Sequence, residues 1–75
     1  MEIHWEPGAE ISVKIEGGAV VLSANAAGLR SLAGIMETLA KGAKGAHIHL
    51  DKDNSLEDDS EELIIEKADT KYREG

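Results

Sequence analysis

Ile11-Ser-Val-Lys-Ile-Glu-Gly-Gly-Ala-Val-Val-Leu-Ser23 is the stretch that decides the fold. Ile11, Val13 and Ile15 alternate with Ser12, Lys14 and Glu16, the period of two that marks a half-buried β-strand. Gly17-Gly18 follows. Two glycines between such runs signal a two-residue hairpin, because both central positions of a type I′ turn need positive φ. Ala19 to Ser23 is apolar and β-branched and forms the return strand.

Beyond the hairpin, Asn25 is placed to cap a helix by accepting from a first-turn backbone N–H. Leu29, Leu32, Ile35 or Met36, Leu39 and Ala40 recur at three- and four-residue spacing, an apolar stripe of helical period. Gly28 and Gly34 weaken this helix by up to ~1 kcal/mol each relative to alanine, a cost that close packing on a sheet would offset. Gly42 stands where a left-handed terminating residue belongs. His47-Ile-His-Leu-Asp51 alternates again, with Ile48 and Leu50 on one face and His47, His49 and Asp51 on the other. Leu63 to Lys67 supplies a fourth strand, and Glu2 to Trp5 a short extra one.

The expected fold is therefore α+β, of order β-β-α-β-β: an antiparallel sheet of about four strands with one helix packed on one face. Residues 1–67 form the one domain, and the charged tail 68–75 frays. Seventy-five residues leave no room for a second core, and a domain of this size buries only about 60% of the surface its unfolded chain exposes. Trp5 and Tyr72 are the only aromatic rings of the Phe, Trp and Tyr class. Trp5 is expected to pack on the domain edge.

The chain has no cysteine, which excludes disulfides and thiolate zinc sites. No signal peptide is recognisable, and nothing approaches the ~20 apolar residues of a membrane span, so a soluble cytoplasmic protein is expected. Net charge is −7. Residues 51–62 hold seven acids (Asp51, Asp53, Glu57, Asp58, Asp59, Glu61, Glu62) against Lys52, a net of −6 in one short segment. Phosphate binding wants the opposite sign, so no nucleic acid partner is expected. The complement is a basic protein or a cation.

Three kinds of chemistry could use this region. His47 and His49, on one strand face, form a weak transition-metal motif, with Asp51 or Glu66 as the nearest third ligand. From Asp51 as position 1, Asp53, Ser55, Asp59 and Glu62 fall at positions 3, 5, 9 and 12 of a calcium-binding EF loop. Against calcium, Leu56 stands where that loop needs glycine, Asp58 stands where it is usually apolar, and the flanks read as strands. Either histidine with Asp51 or Glu66 would make an acid–base pair, yet no nucleophile or phosphate loop has a recognisable context. Neither an enzyme nor a cofactor is expected.

The string Gly45-Ala-His-Ile-His-Leu-Asp51, then Asn54-Ser-Leu-Glu57, then Ser60-Glu-Glu-Leu-Ile-Ile-Glu66 resembles the immunity protein 32 family of bacterial polymorphic toxin systems. The resemblance covers roughly residues 11 to 66. It implies a protein that binds and neutralises a cognate toxin domain by stoichiometric interaction, without chemistry of its own. Toxin domains that cleave nucleic acid are often basic, and an acidic face steers them into encounter. The expected recognition surface is Asp51, Asp53, Glu57, Asp58, Asp59, Glu61 and Glu62, joined by His47 and His49. The runner-up is a metal-binding or homodimeric sheet module using the two histidines. Uncovered sheet edges make self-association plausible, while Lys14 and Glu16 argue against a large apolar dimer face.

Overall fold

In the computed structural model, residues 3–68 are described. The strand β1 (Ile11–Glu16) leads into β2 (Ala19–Ala24), the helix α1 (Ala26–Lys41), and the strands β3 (His47–Leu50) and β4 (Leu63–Glu66). β1 and β2 pair antiparallel from Ile11↔Ala24 to Glu16↔Ala19. Gly17 and Gly18 close the hairpin at φ values of 56° and 84°, both in the left-handed region that the type I′ turn demands. β3 and β4 pair antiparallel from His47↔Glu66 to Leu50↔Leu63. That ladder is prolonged by Gly45 N–H to the Lys67 carbonyl (2.9 Å) and Lys67 N–H to the Ala46 carbonyl (2.8 Å).

The order β-β-α-β-β is as the periodicities indicate, but the expected sheet of four strands is not there. The described strands form two separate antiparallel pairs. The cause lies along the free edge of β1. Glu57 N–H donates to the Ile11 carbonyl (2.9 Å) and Glu61 N–H to the Val13 carbonyl (2.7 Å), while the Val13 N–H is taken by the Ser60 hydroxyl oxygen (3.1 Å). A step of two residues on β1 thus meets a step of four on its neighbour. The surplus bulges out, and no regular ladder continues into β4. The expected short strand at Glu2 to Trp5 is absent over Ile3–Trp5. Ile3 and Trp5 pack against the core instead, and a Pro7-Gly8 turn closed by Ala9 N–H to the Glu6 carbonyl (3.1 Å) leads into β1. Of the tail, all but Ala68 lies outside the described residues, as does Tyr72.

One cluster of buried side chains joins the elements: Ile11 and Val13 of β1, Leu32, Ile35 and Leu39 of α1, Ile48 and Leu50 of β3, and Leu56 of the acidic segment. Asn25 caps α1 as expected, its side-chain oxygen accepting from Gly28 N–H (2.8 Å). The same oxygen accepts from Glu10 N–H (3.0 Å), and its amide nitrogen donates to the Gly8 carbonyl (2.8 Å). One side chain thereby ties the helix start to the strand entering the hairpin. Gly28 rests on the hairpin's base. A Cβ there would lie 2.8 Å from the Glu10 carbonyl oxygen and 2.9 Å from Ile11 Cγ1, so the absence of a side chain sets how closely α1 can approach. Gly34 differs, because nothing lies within 4 Å of its would-be Cβ, and sheet packing does not explain it.

The helix ends at Lys41, yet not by the expected left-handed residue. Gly42 is extended (φ −83°, ψ −179°), with its N–H bonded to the Leu39 carbonyl. The terminus is completed from a distance. Lys67 Nζ donates to the carbonyls of Ala40 (2.8 Å) and Gly42 (2.7 Å), placing a cation at the negative end of the helix dipole.

Three substitutions separate these roles in chemical denaturation. Gly28→Ala should lower stability by about 1–3 kcal/mol, because overpacking against backbone outweighs the gain in helix propensity. Gly34→Ala should raise it by about 0.5–1 kcal/mol. Lys67→Met should cost about 1 kcal/mol through two lost charge-assisted bonds at the helix end.

Candidate functional site

The acidic segment is a built loop with defined internal bonds. The Asp51 carbonyl accepts the backbone N–H groups of Asn54 (3.2 Å), Ser55 (3.0 Å) and Leu56 (2.9 Å), winding the chain into a tight turn. The Asp51 carboxylate accepts from Asp53 N–H (3.0 Å), and the Asn54 side chain accepts from Asp51 N–H (3.1 Å) while donating to the His49 carbonyl (3.3 Å). Such side-chain-to-backbone bonds are why Asp and Asn favour turns. The Ser55 hydroxyl donates to the Asn54 side-chain oxygen. At Leu56 the chain dips into the core, where the side chain is 5% exposed. It then rises to lay Glu57 to Glu61 along β1.

This course fixes where the carboxylates go. Asp53, Glu57, Asp58, Asp59, Glu61 and Glu62 are exposed, and Asp51 is half-buried. Asp59 meets Lys14 Nζ (3.2 Å), Asp53 meets Lys52 Nζ (3.2 Å), and Glu62 accepts from His49 Nδ1 (3.0 Å). These contacts are solvent-exposed, and such pairs contribute about 0–1 kcal/mol each. Glu57, Asp58 and Glu61 have no cationic side chain beside them among the described residues. Among the described residues, the segment therefore holds negative charge with no cation beside it.

β3 presents its faces as its alternation indicates. Ile48 and Leu50 are buried, and His47 and His49 are exposed. The two rings meet edge to face with centroids 5.2 Å apart. His47 Nδ1 lies 3.1 Å from the Gly45 carbonyl oxygen. Glu66, named from the sequence as a third metal ligand, stands opposite His47 in the ladder. Among the described residues no three His, Asp or Glu side chains converge as a metal site would require. The EF-loop reading fails at Leu56, which is a core residue where that loop needs a glycine turn. The His49–Glu62 pair joins the histidine face to the acidic segment, a contact that spacing alone does not suggest.

Clefts offer little enclosure. The one lined by His4, Glu6, Arg30, Ser31, Gly34, Ile35 and Thr38 encloses about 220 Å³, below the range of small-molecule pockets. Its Glu6 is held by Arg30 Nε (2.9 Å), and its Ser31 hydroxyl accepts from Glu6 N–H and donates to the Ala27 carbonyl. A second cleft is lined by Trp5, Gly8, Ala9, Asn54 and Ser55, and the half-buried Trp5 packs against the core. No helix among the described residues is long and apolar enough to cross a membrane.

The family model of immunity protein 32 matches residues 19–68, from β2 through the acidic segment to the end of β4. The chain belongs to the immunity protein 32 family. That membership spans two-thirds of the sequence and takes in the whole candidate surface. No curated protein and no solved structure matches the chain.

The loop's two kinds of residue should respond oppositely to substitution. Leu56→Ala should cost about 2–5 kcal/mol in a denaturant titration, as expected for a buried leucine. Asp58→Asn should change stability by no more than about 0.5 kcal/mol. Ser60→Ala, which strips the Val13 N–H of its acceptor, should fall between, at about 1 kcal/mol.

Proposed function

We propose that this protein is a stoichiometric inhibitor that binds a cognate toxin domain through the acidic segment Asp51–Glu62. Membership of an immunity protein family supplies the class of partner, a protein toxin. The observation that carries the choice of surface is charge left unpaired on a fixed frame. Glu57, Asp58 and Glu61 stand exposed with no cation beside them among the described residues, on a stretch whose backbone is bonded to β1 at Glu57 and Glu61.

Two physical consequences favour recognition by this face. A backbone already held against β1 has little ordering left to undergo when a partner's Lys or Arg arrives, which lowers the entropic cost of association. Concentrating most of a net charge of −7 in one segment also gives the molecule a directional field that steers a basic partner toward it. Asp51, Asp53, Asp59 and Glu62 extend the surface, and His47 and His49 border it through the contact with Glu62. A toxin acting on nucleic acid would present a basic groove for phosphate, and this segment would occupy it.

Co-purification with the toxic domain encoded beside the gene, followed by calorimetry and stopped-flow association, tests the proposal. The expected result is a one-to-one complex without toxin activity. Its association rate should fall about 10-fold or more at low salt when Glu57, Asp58 and Glu61 are together changed to lysine, and its salt dependence should flatten. A tight complex whose rate and salt slope ignore those changes would move the interface elsewhere. A folded chain that binds no such domain would remove the reading altogether.

A further inference from the structure

The two edges of the first hairpin are treated differently. The edge of β1 is capped by Glu57, Ser60 and Glu61. The outer edge of β2 is not. In an antiparallel ladder started by a two-residue turn, Glu16↔Ala19, Lys14↔Val21 and Ser12↔Ser23 exchange the hydrogen bonds. The backbone groups of Val20 and Leu22 then point away from β1, and no backbone hydrogen bond reaches them among the described residues. The same residues project apolar side chains into solvent. Val20 is 66% exposed and Leu22 40%, and Ile15, opposite Val20 on the same face, is 61% exposed. α1 covers only the hairpin's base and leaves this end bare.

Natural edge strands are usually blunted by a charge, a proline or a bulge. The six residues of β2, Ala-Val-Val-Leu-Ser-Ala, carry none of these. In the other sheet, β3 is shorter, bears two histidines, and has its His49 carbonyl bound by Asn54.

We infer that β2 pairs edge to edge with β2 of a second copy of this chain, joining the two hairpins into one continuous four-stranded sheet across a two-fold axis. A second copy fits this edge because the strand is complementary to itself. An antiparallel pairing centred on Val21 places Val20 against Leu22 twice over, with their outward amides and carbonyls in register, and Val21 against its own counterpart on the other face. The charge distribution permits it as well. A chain of net charge −7 repels its own copies, but the acidic segment lies beyond β1, on the far side from β2. With strands ~4.8 Å apart, the two acidic segments of the dimer stand five spacings, ~24 Å, from each other. That is more than two Debye lengths at physiological ionic strength. Pairing through any surface nearer the acids would bring them together.

Sedimentation equilibrium on the chain alone, from about 1 μM to about 1 mM, tests this together with amide hydrogen exchange. The average mass should climb from 8.0 kDa toward twice that value with concentration, and exchange at the Val20 and Leu22 amides should slow in parallel. Val20→Lys with Leu22→Lys should hold the mass at that of one chain, whereas Asp58→Lys with Asp59→Lys should leave the dimer in place. A wild-type mass that never rises overturns the inference, as does a dimer indifferent to the β2 lysines or one in which those two amides exchange freely. Slowing that appears only when a different protein is added also overturns it, and assigns the edge to that protein's strand. Should the β2 variant fail to fold by circular dichroism, the wild-type mass and exchange decide. Toxin binding enters none of these measurements, so their outcome is independent of the function proposed above.

Discussion

The short length of β1 edge between Ile11 and Val13 is where the molecule is joined. Two carbonyls and one amide there would be left at the rim of the core, and a buried backbone group without a partner costs about 1–3 kcal/mol. The acidic segment supplies all three partners, through the amides of Glu57 and Glu61 and the hydroxyl of Ser60. It also fills the core beneath with Leu56. Among the described residues the two strand pairs share no ladder. Their union rests on this segment and on the side chains packed between them and α1.

This arrangement puts the most repulsive part of the sequence at its most structured joint. Seven carboxylates in twelve positions work against the compact state, and among the described residues three of them meet a basic side chain, in Lys14, Lys52 or His49. The hydrogen bonds that fix the segment run mainly through its backbone and its neutral side chains, Asn54, Ser55 and Ser60, with one contribution from the Asp51 carboxylate. Frame and charge are thus largely separate features occupying the same residues' backbone and tips.

Local signals in the sequence proved dependable where short-range physics decides the outcome. The Gly17-Gly18 turn, the Asn25 cap, the helix itself and the alternation of His47 to Leu50 all depend on residues within a turn or two of each other. Of the expected helical stripe, Leu32, Ile35 and Leu39 are buried, whereas Leu29 and Ala40 at its ends are exposed. Features set by distant partners were out of reach. Nothing in the neighbourhood of Gly42 announces that Lys67 will complete the helix end, and nothing near Asp59 announces Lys14. The expectation of one four-stranded sheet failed for the same kind of reason, because strand count says nothing about a bulged neighbour with unequal steps. The exposure of Ile15 and Val20 was hidden too, since an apolar alternation looks alike whether or not a helix reaches far enough to cover it. For the candidate surface, composition located the carboxylates. Which of them stand unpaired depended on the fold.

Separating frame from charge has a consequence for how such a surface can change over generations. Glu57, Asp58 and Glu61 offer side chains to solvent while their neighbours Leu56 and Ser60 keep the loop in place. Exchanging the exposed tips leaves the anchoring contacts untouched, so new side-chain combinations can be tried at little cost to folding. Insertions and deletions are another matter, because one residue more or less between Leu56 and Glu61 would break the spacing that seats both ends on β1. The lineage is free to rewrite the letters of this surface but is held to its length.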